Sequence, residues 1–329
     1  VKILVFEYIT GGGLNKQDLP DALAKEGRMM LQALLDNLAL LSNIKVELLL
    51  DWRFFGKVDT HNVNVFLIHP HHDFSAQFKQ LAQTCDAVWP IAPESDGILQ
   101  SLCKIAEQVG CHLLVSPSTA VAITANKLKT FQVLHQNQIA TVPTQLFNRD
   151  ISYTDDLWML KPIDGVGCTD SFLCSGQNGF KQLAEQVEYI IQPHIEGKKT
   201  SLSCLFKKGK AWLLSVNLQH FTIANNQYHL AAITVNCAKT ESYQSLASDV
   251  GRAFPDLWGY VGIDLIETPE QILVLEINPR LTSSFVGIRA ALGLNVAELV
   301  LSLTNGEPKI SMPYNHAITI NLNKIAHAQ

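Results

Sequence analysis

The sequence predicts a mixed molecule, α/β followed by α+β: a doubly wound, mostly parallel sheet and then a part built on antiparallel strands. Three observations carry this reading. Apolar runs alternate with helical stripes through short links up to about residue 115, the pattern of parallel strands crossed by helices. Beyond Ser116-Pro117-Ser118 that alternation gives way to long extended stretches joined by tight turns, Lys207-Lys208-Gly209 among them. The length, 329 residues, exceeds one ordinary core and suits two or three lobes.

Residues 2 to 8 read as the first strand, closing on Glu7-Tyr8-Ile9-Thr10-Gly11-Gly12-Gly13. A helix follows, with Met30, Leu31, Leu34, Leu35, Leu38 and Leu41 at helical spacing. Strands are expected at Val46 to Leu50, Val63 to Ile68, Ala87 to Ile91 and His112 to Val115, and helices at Phe74 to Gln83 and Ser95 to Val109. Ligands of such sheets gather at the carboxyl ends of the strands. Those ends carry Glu7 with its glycines, His69-Pro70-His71-His72-Asp73, and Pro93-Glu94-Ser95-Asp96-Gly97. Gly11, Gly12 and Gly13 allow close approach of a ligand and offer N–H groups to an anion, or form a plain turn. The histidines read as a solvated loop more readily than as metal ligands, because adjacent rings point apart. Glu94 either meets a ligand or favours the positive end of the helix that follows.

In the second half, helices are expected at Ala120 to Ala125 and Lys127 to Gln136, and a strand at Trp158 to Pro162 leading into Ile163-Asp164-Gly165-Val166-Gly167-Cys168. A helix (Phe180 to Val187), a strand (Tyr189 to Gln192) and extended stretches at Ser201 to Phe206, Ala211 to Val216 and His229 to Val235 follow. A helix from Tyr243 to Phe254 precedes two strands that turn at Thr268-Pro269-Glu270-Gln271.

Those two strands hold the most informative residues. Strand side chains alternate faces, so Glu276 and Asn278 point one way and the hairpin brings Asp264 opposite them. Two carboxylates and an amide oxygen among apolar neighbours need a cleft, a partner or a metal. An all-oxygen set without His or Cys suits Mg²⁺, or Mn²⁺, that takes further ligands from phosphate. Arg280 is placed to face the same phosphates. Lys161 stands on an apolar strand just before a glycine-bearing loop, as a triphosphate requires. Alone, Lys161 and Lys127 each also fit a surface lysine; together with the acids they balance much of the charge of Mg²⁺-ATP.

Bulk properties narrow the function. Composition is globular, with 47% hydrophobic and 17% charged residues, and the net charge of −5 argues against a nucleic-acid surface. No apolar run reaches the ~18 residues of a membrane span, and the first residues read as a strand, not a signal peptide. Seven dispersed cysteines without CxxC spacing read as reduced thiols of a cytoplasmic protein, with Cys168 set apart by its glycine-containing loop.

Taken in order, Lys127, Lys161-Pro162 with its loop, Ile191-Gln192-Pro193-His194-Ile195-Glu196-Gly197, Asp264 and Glu276-Ile277-Asn278-Pro279-Arg280 resemble the ATP-grasp superfamily of carboxylate-amine ligases. The resemblance covers about residues 115 to 305, and the α/β lobe ahead of it resembles the domain usual at that place. It implies an ATP-grasp fold in three parts: a pre-ATP-grasp domain at 1–115, a small subdomain with a glycine-rich lid at 116–190, and an α+β subdomain with the metal site at 191–329. Lys127 and Lys161 would contact ATP phosphates, Gly165 and Gly167 would lie in the lid, and Gln192, Ile195 and Glu196 would form the adenine hinge. Asp264, Glu276 and Asn278 would hold Mg²⁺, and Arg280 would stabilise the transferred phosphoryl group. One departure is Lys199, where relatives often carry a ribose-binding acid; Glu196 is the available substitute.

The segments Phe6 to Gly13, Pro90 to Asp96 and Asn278 to Ser284 resemble the branch that includes the tyramine-glutamate ligases of methanofuran biosynthesis. The implied reaction joins an amino-acid carboxylate, glutamate, to an amine through an acyl phosphate. Its partners are small molecules, and a homodimer is compatible with it. Glu7 and Glu94 are the candidates for holding an ammonium group, and Arg252 for a carboxylate. Two alternatives stay open: an ATP-grasp enzyme with other substrates, such as a dipeptide ligase or a carbamoyl-phosphate-type enzyme, and a nucleotide-binding module without turnover.

Overall fold

A computed structural model describes residues 1–148, 154, 156–165, 171–175 and 187–322. Its first part is a five-stranded sheet, all parallel, in the order β3-β2-β1-β4-β5. The elements run β1 (Lys2–Glu7), α1 (Asp21–Leu38), β2 (Lys45–Asp51), β3 (Val63–Ile68), α2 (Phe74–Ala82), β4 (Ala87–Ile91), α3 (Ile98–Gln108) and β5 (His112–Leu113). Strands β1, β2 and β4 are nearly continuous apolar runs, as strands covered on both faces must be. Helix α1 starts well before Met30, at Asp21 behind Pro20, and Leu41 falls beyond its end.

Helices α4 (Ser118–Thr124) and α5 (Lys127–Gln136) lead into a four-stranded sheet of order β6-β9-β7-β8. Its strands are β6 (Gln145–Leu146), β7 (Leu157–Pro162), β8 (Phe172–Ser175) and β9 (Tyr189–Pro193). The helix expected at Phe180 to Val187 falls almost wholly outside the described residues, as do Gly167 and Cys168.

The third part is a six-stranded antiparallel sheet of order β14-β13-β10-β11-β12-β15. It comprises β10 (Lys198–Lys207), β11 (Lys210–Ala224), β12 (Gln227–Ala238), β13 (Gly259–Glu267), β14 (Ile272–Asn278) and β15 (Ile318–Asn321), with α6 (Glu241–Ala253) on one face. Helices α7 (Phe285–Leu292) and α8 (Val296–Ser302), unforeseen from the sequence, pack between this sheet and α1. Phe285, Ile288 and Val300 share one core with Leu31 and Leu34, so the two ends of the chain are buried against each other. That union sets the carboxyl ends of the parallel strands beside the β13–β14 hairpin.

Candidate active site

Strands β13 and β14 pair so that Asp264 lies opposite Glu276 and Gly262 opposite Asn278. Directly opposed residues share a face, so the three oxygen-bearing side chains point one way. A bulge between Asp264 and Leu265 twists the hairpin beside them. At Gly262 a Cβ would come within 2.7 Å of Thr282 Cγ2, so glycine lets the Arg280-bearing loop lie against the strand. Asp264 accepts hydrogen bonds from Gln219 Nε2 at 2.9 Å and Asn278 Nδ2 at 3.0 Å.

Charge at this face is finely opposed. Burial, then the neighbouring Glu276 charge, pushes the Asp264 carboxyl up to about 6, against the two hydrogen bonds it accepts. Burial acts on Glu276 in the same direction, yet the Lys127 and Lys161 ammonium groups reverse it and hold this carboxyl below the usual range. Glu276 Oε1 lies 3.5 Å from Lys161 Nζ and 3.8 Å from Lys127 Nζ. Lys161 is buried on β7, while Lys127 opens α5 and donates from Nζ to Gly165 O. A cation at a helix N-terminus sits at the wrong end of the dipole, so Lys127 is not there for the helix.

Arg280 reaches back to the parallel-sheet domain. Its Nε and Nη2 donate to Glu94 Oε2 at 3.0 and 2.8 Å, and Nη1 to Leu281 O at 3.2 Å. Next to Glu94, Asp96 N donates to Asp164 Oδ2 at 3.0 Å, which ties the strand-end loop to the base of the glycine-bearing segment.

Between the four-stranded and six-stranded sheets opens a cleft of about 140 Å³. Lys161, Asp264 and Glu276 stand at its polar end, and Val142, Met159 and Leu275 supply apolar wall. Gln192 and Ile195 line it as well, with the Gln192 amide donating to Thr144 Oγ1 at 2.8 Å. Lys199 is also on the wall and donates to Ile195 O at 2.9 Å, whereas Glu196 is exposed. Sequence reasoning missed Gln219 and the His194–Tyr228 pair, whose Nε2 and OH are 2.8 Å apart. Gln219 had a signal: Ser215, Asn217 and Gln219 recur with strand period on an otherwise apolar segment.

Other expected residues stand apart from this cluster. The Glu7 carboxylate is buried and accepts from Ile9 N, Thr10 N and Thr10 Oγ1 at 3.2, 2.7 and 2.6 Å, so it holds its own loop. Gly11 N and Gly13 N donate to Glu7 O and Tyr8 O, and a Cβ at Gly11, Gly12 or Gly13 would strike Phe6, Ile68 or Tyr8. The glycines thus serve a packed turn. Arg252 is exposed on α6 and pairs with Asp249. His72 Nδ1 accepts from His69 N at 3.0 Å, and among the described residues no three His, Cys, Asp or Glu gather as a metal site.

Asp264, Glu276 and Asn278 therefore fit a metal only as a partial set. Their all-oxygen chemistry and the charge crowding at Asp264 suit a hard divalent cation completed by phosphate and water.

Comparisons with known proteins show the family and the fold. The ATP-grasp domain family matches residues 124–284, and the pre-ATP-grasp domain family matches residues 44–121. The chain belongs to the ATP-grasp superfamily and is an ATP-dependent ligase of the carboxylate-amine type. It is 26% identical over 93% of its length to tyramine–L-glutamate ligase of Methanocaldococcus jannaschii, covering 90% of that protein. A crystal structure of an ATP-grasp superfamily protein from Archaeoglobus fulgidus superposes with a TM-score of 0.70 at 26% identity, covering 97% of this chain and 91% of that one. The L-amino acid ligase from Bacillus licheniformis shares the fold, with a TM-score of 0.65 at 18% identity over 92% of this chain and 73% of the other. Among the described residues no single helix is long and apolar enough to cross a membrane.

Proposed function

We propose that the protein joins the carboxylate of an amino acid, glutamate, to a primary amine of the tyramine type at the expense of ATP. One observation carries the reading: buried Lys161 and half-buried Lys127 meet two carboxylates at the end of a cleft, with an arginine alongside. The tyramine–L-glutamate ligase relative supports the choice of substrates.

A carboxylate is a poor electrophile, so it is activated first. Its oxygen attacks the γ-phosphorus, the bond to the β-phosphate oxygen breaks, and ADP leaves an acyl phosphate behind. The amine nitrogen then attacks the carbonyl carbon, the carbon–oxygen bond to phosphate breaks, and the amine's surplus proton passes to solvent. Lys127 and Lys161 hold the phosphates in line, and Arg280 offsets charge on the transferring oxygens. Asp264, Glu276 and Asn278 would hold Mg²⁺ or Mn²⁺, which when bound supplies further neutralisation of the phosphates. Gly165, whose carbonyl Lys127 binds, is the described start of the glycine-bearing segment and helps exclude water from the acyl phosphate. Gln192 and Ile195 flank the adenine, with Glu196 beside them, and the ribose meets Lys199 in place of the customary acid. Glu94 belongs to the substrate side.

The proposed division is a pre-ATP-grasp domain at 1–115, the lid-bearing subdomain at 116–190 and the metal-bearing subdomain at 191–329. Methanofuran-type cofactor synthesis, in the cytoplasm, is the setting this reading points to. The test is phosphate release by the purified protein against a panel of amino acids and amines that includes glutamate with tyramine. Release that needs both partners is expected. ATP binding without amine-dependent turnover would favour a nucleotide-binding module instead.

A further inference from the structure

Two carboxylates at the carboxyl ends of the parallel strands are almost wholly buried, and they differ in one respect. Glu7 spends both oxygens on its own loop. Glu94, 4% exposed, gives Oε2 to Arg280, while its buried Oε1 has no hydrogen-bond partner among the described residues. A buried oxygen left so is costly. In natural structures such an atom is completed by water, an ion or a ligand, or carries a catalytic role.

Glu94 also lines a small cavity, whose other walls include Lys127, Glu276 and Asn278. The Lys127 ammonium on that wall is already engaged by Gly165 O and Glu276. The room there is about 10 Å³, the space of one water-sized group. A primary ammonium there brings donors to an acceptor, whereas a carboxylate would meet like charge.

We propose that Glu94 Oε1 anchors a primary ammonium group of a substrate beside Arg280, making Glu94 a specificity residue. The proposal rests on the ligase reading for the identity of the substrates. Two sources offer this chemistry: the α-ammonium of the amino acid and the ammonium of the acceptor amine before it loses its proton.

Calorimetric binding to the full chain, with Mg²⁺ and a non-hydrolysable ATP analogue, separates them. The probes are glutamate against glutarate, and tyramine against 4-ethylphenol. In Glu94→Gln the expected result is that one ammonium-bearing compound binds about 10- to 100-fold more weakly while its desamino counterpart is unchanged, the loss of one charge-assisted hydrogen bond. The pair that responds names the source. A residue that only positions Arg280 would weaken both members of a pair alike; that outcome, no weakening at all, or no binding of either ammonium compound to the wild type overturns the proposal. Should Glu94→Gln fail to fold, the wild type decides, because equal affinity within both pairs overturns it as well. Turnover is read separately, as ATP-dependent hydroxamate formation from glutamate and hydroxylamine, so the ligase reading and the Glu94 assignment fail independently.

Discussion

Replacing Arg280 by Met would leave the Glu94 carboxylate, 4% exposed, without a side-chain partner among the described residues. The two N–H groups lost both serve Oε2, and Oε1 has no partner among the described residues, so none of these takes over. Breaking a buried ion pair from one side costs about 3–5 kcal/mol. For 329 residues the unfolding entropy near the midpoint is about 0.7 kcal/mol per kelvin, so Tm should fall by about 4 to 7 °C. Glu94→Leu combined with Arg280→Met removes the orphaned charge and should recover most of that loss, since apolar replacements of a buried pair are often neutral. Activity should not return with it. Loss of a cation aimed at the transferring phosphoryl group costs on the order of 10²–10³ in kcat. Calorimetric unfolding and phosphate release on the two single variants and the double variant give both readouts. Arg280→Met with Tm unchanged would refute the buried pair; a double variant that regains turnover along with stability would show that Arg280 only braces the domains.

Three further outcomes follow from the same geometry. Glu276→Gln should abolish ATP-dependent phosphate release while the circular dichroism of the fold is retained, because its charge is the meeting point of Lys127 and Lys161; a folded, fully active variant would make the carboxylate structural. Lys161→Ala should weaken ATP about 10- to 100-fold, the loss of one charge-assisted contact, and leave the KM of the amine unchanged; unaltered nucleotide affinity contradicts its placement. Burial raises the Glu7 carboxyl from 4.5 to about 6, so the fold favours its protonated form. Its contribution is therefore fullest below pH 4.5 and is lost as pH rises through about 6, roughly 2 kcal/mol in all. Urea unfolding of wild type and Glu7→Gln over that window should show the variant gaining by this amount as pH rises, and a constant gap would disprove it.

The hairpin was legible because strand period and a Pro-containing turn bring Asp264 opposite Glu276 to within about a residue. The bulge between Asp264 and Leu265 was not legible, and it sets Asp264 opposite Glu276 where an unbroken register would pair it with Leu275. The parallel sheet was legible for a like reason, as apolar runs separated by striped helices leave few alternatives. Helices α7 and α8 were not. Phe285-Val286-Gly287-Ile288-Arg289-Ala290-Ala291-Leu292 is apolar around most of its circumference, since it is covered by a sheet on one side and α1 on the other, and such a helix shows no stripe. Glu7 and Glu94 looked alike in sequence, each an acid at a strand end. Only the fold gives Glu7 the hydroxyl and amides of its own loop, and Glu94 a guanidinium from a segment 186 residues away.

By itself the sequence determined the order of sheets and the hairpin that brings Asp264 near Glu276 and Asn278, because these follow from local periodicity and turn chemistry; the bulge that puts Asp264 on their face belongs to the structure. The tertiary structure alone decided which lysines reach Glu276, which acid holds Arg280, and that the chain's two ends close over one core. Those are contacts between residues far apart in sequence, set by how sheets and helices bury their apolar faces together, and no local pattern encodes them.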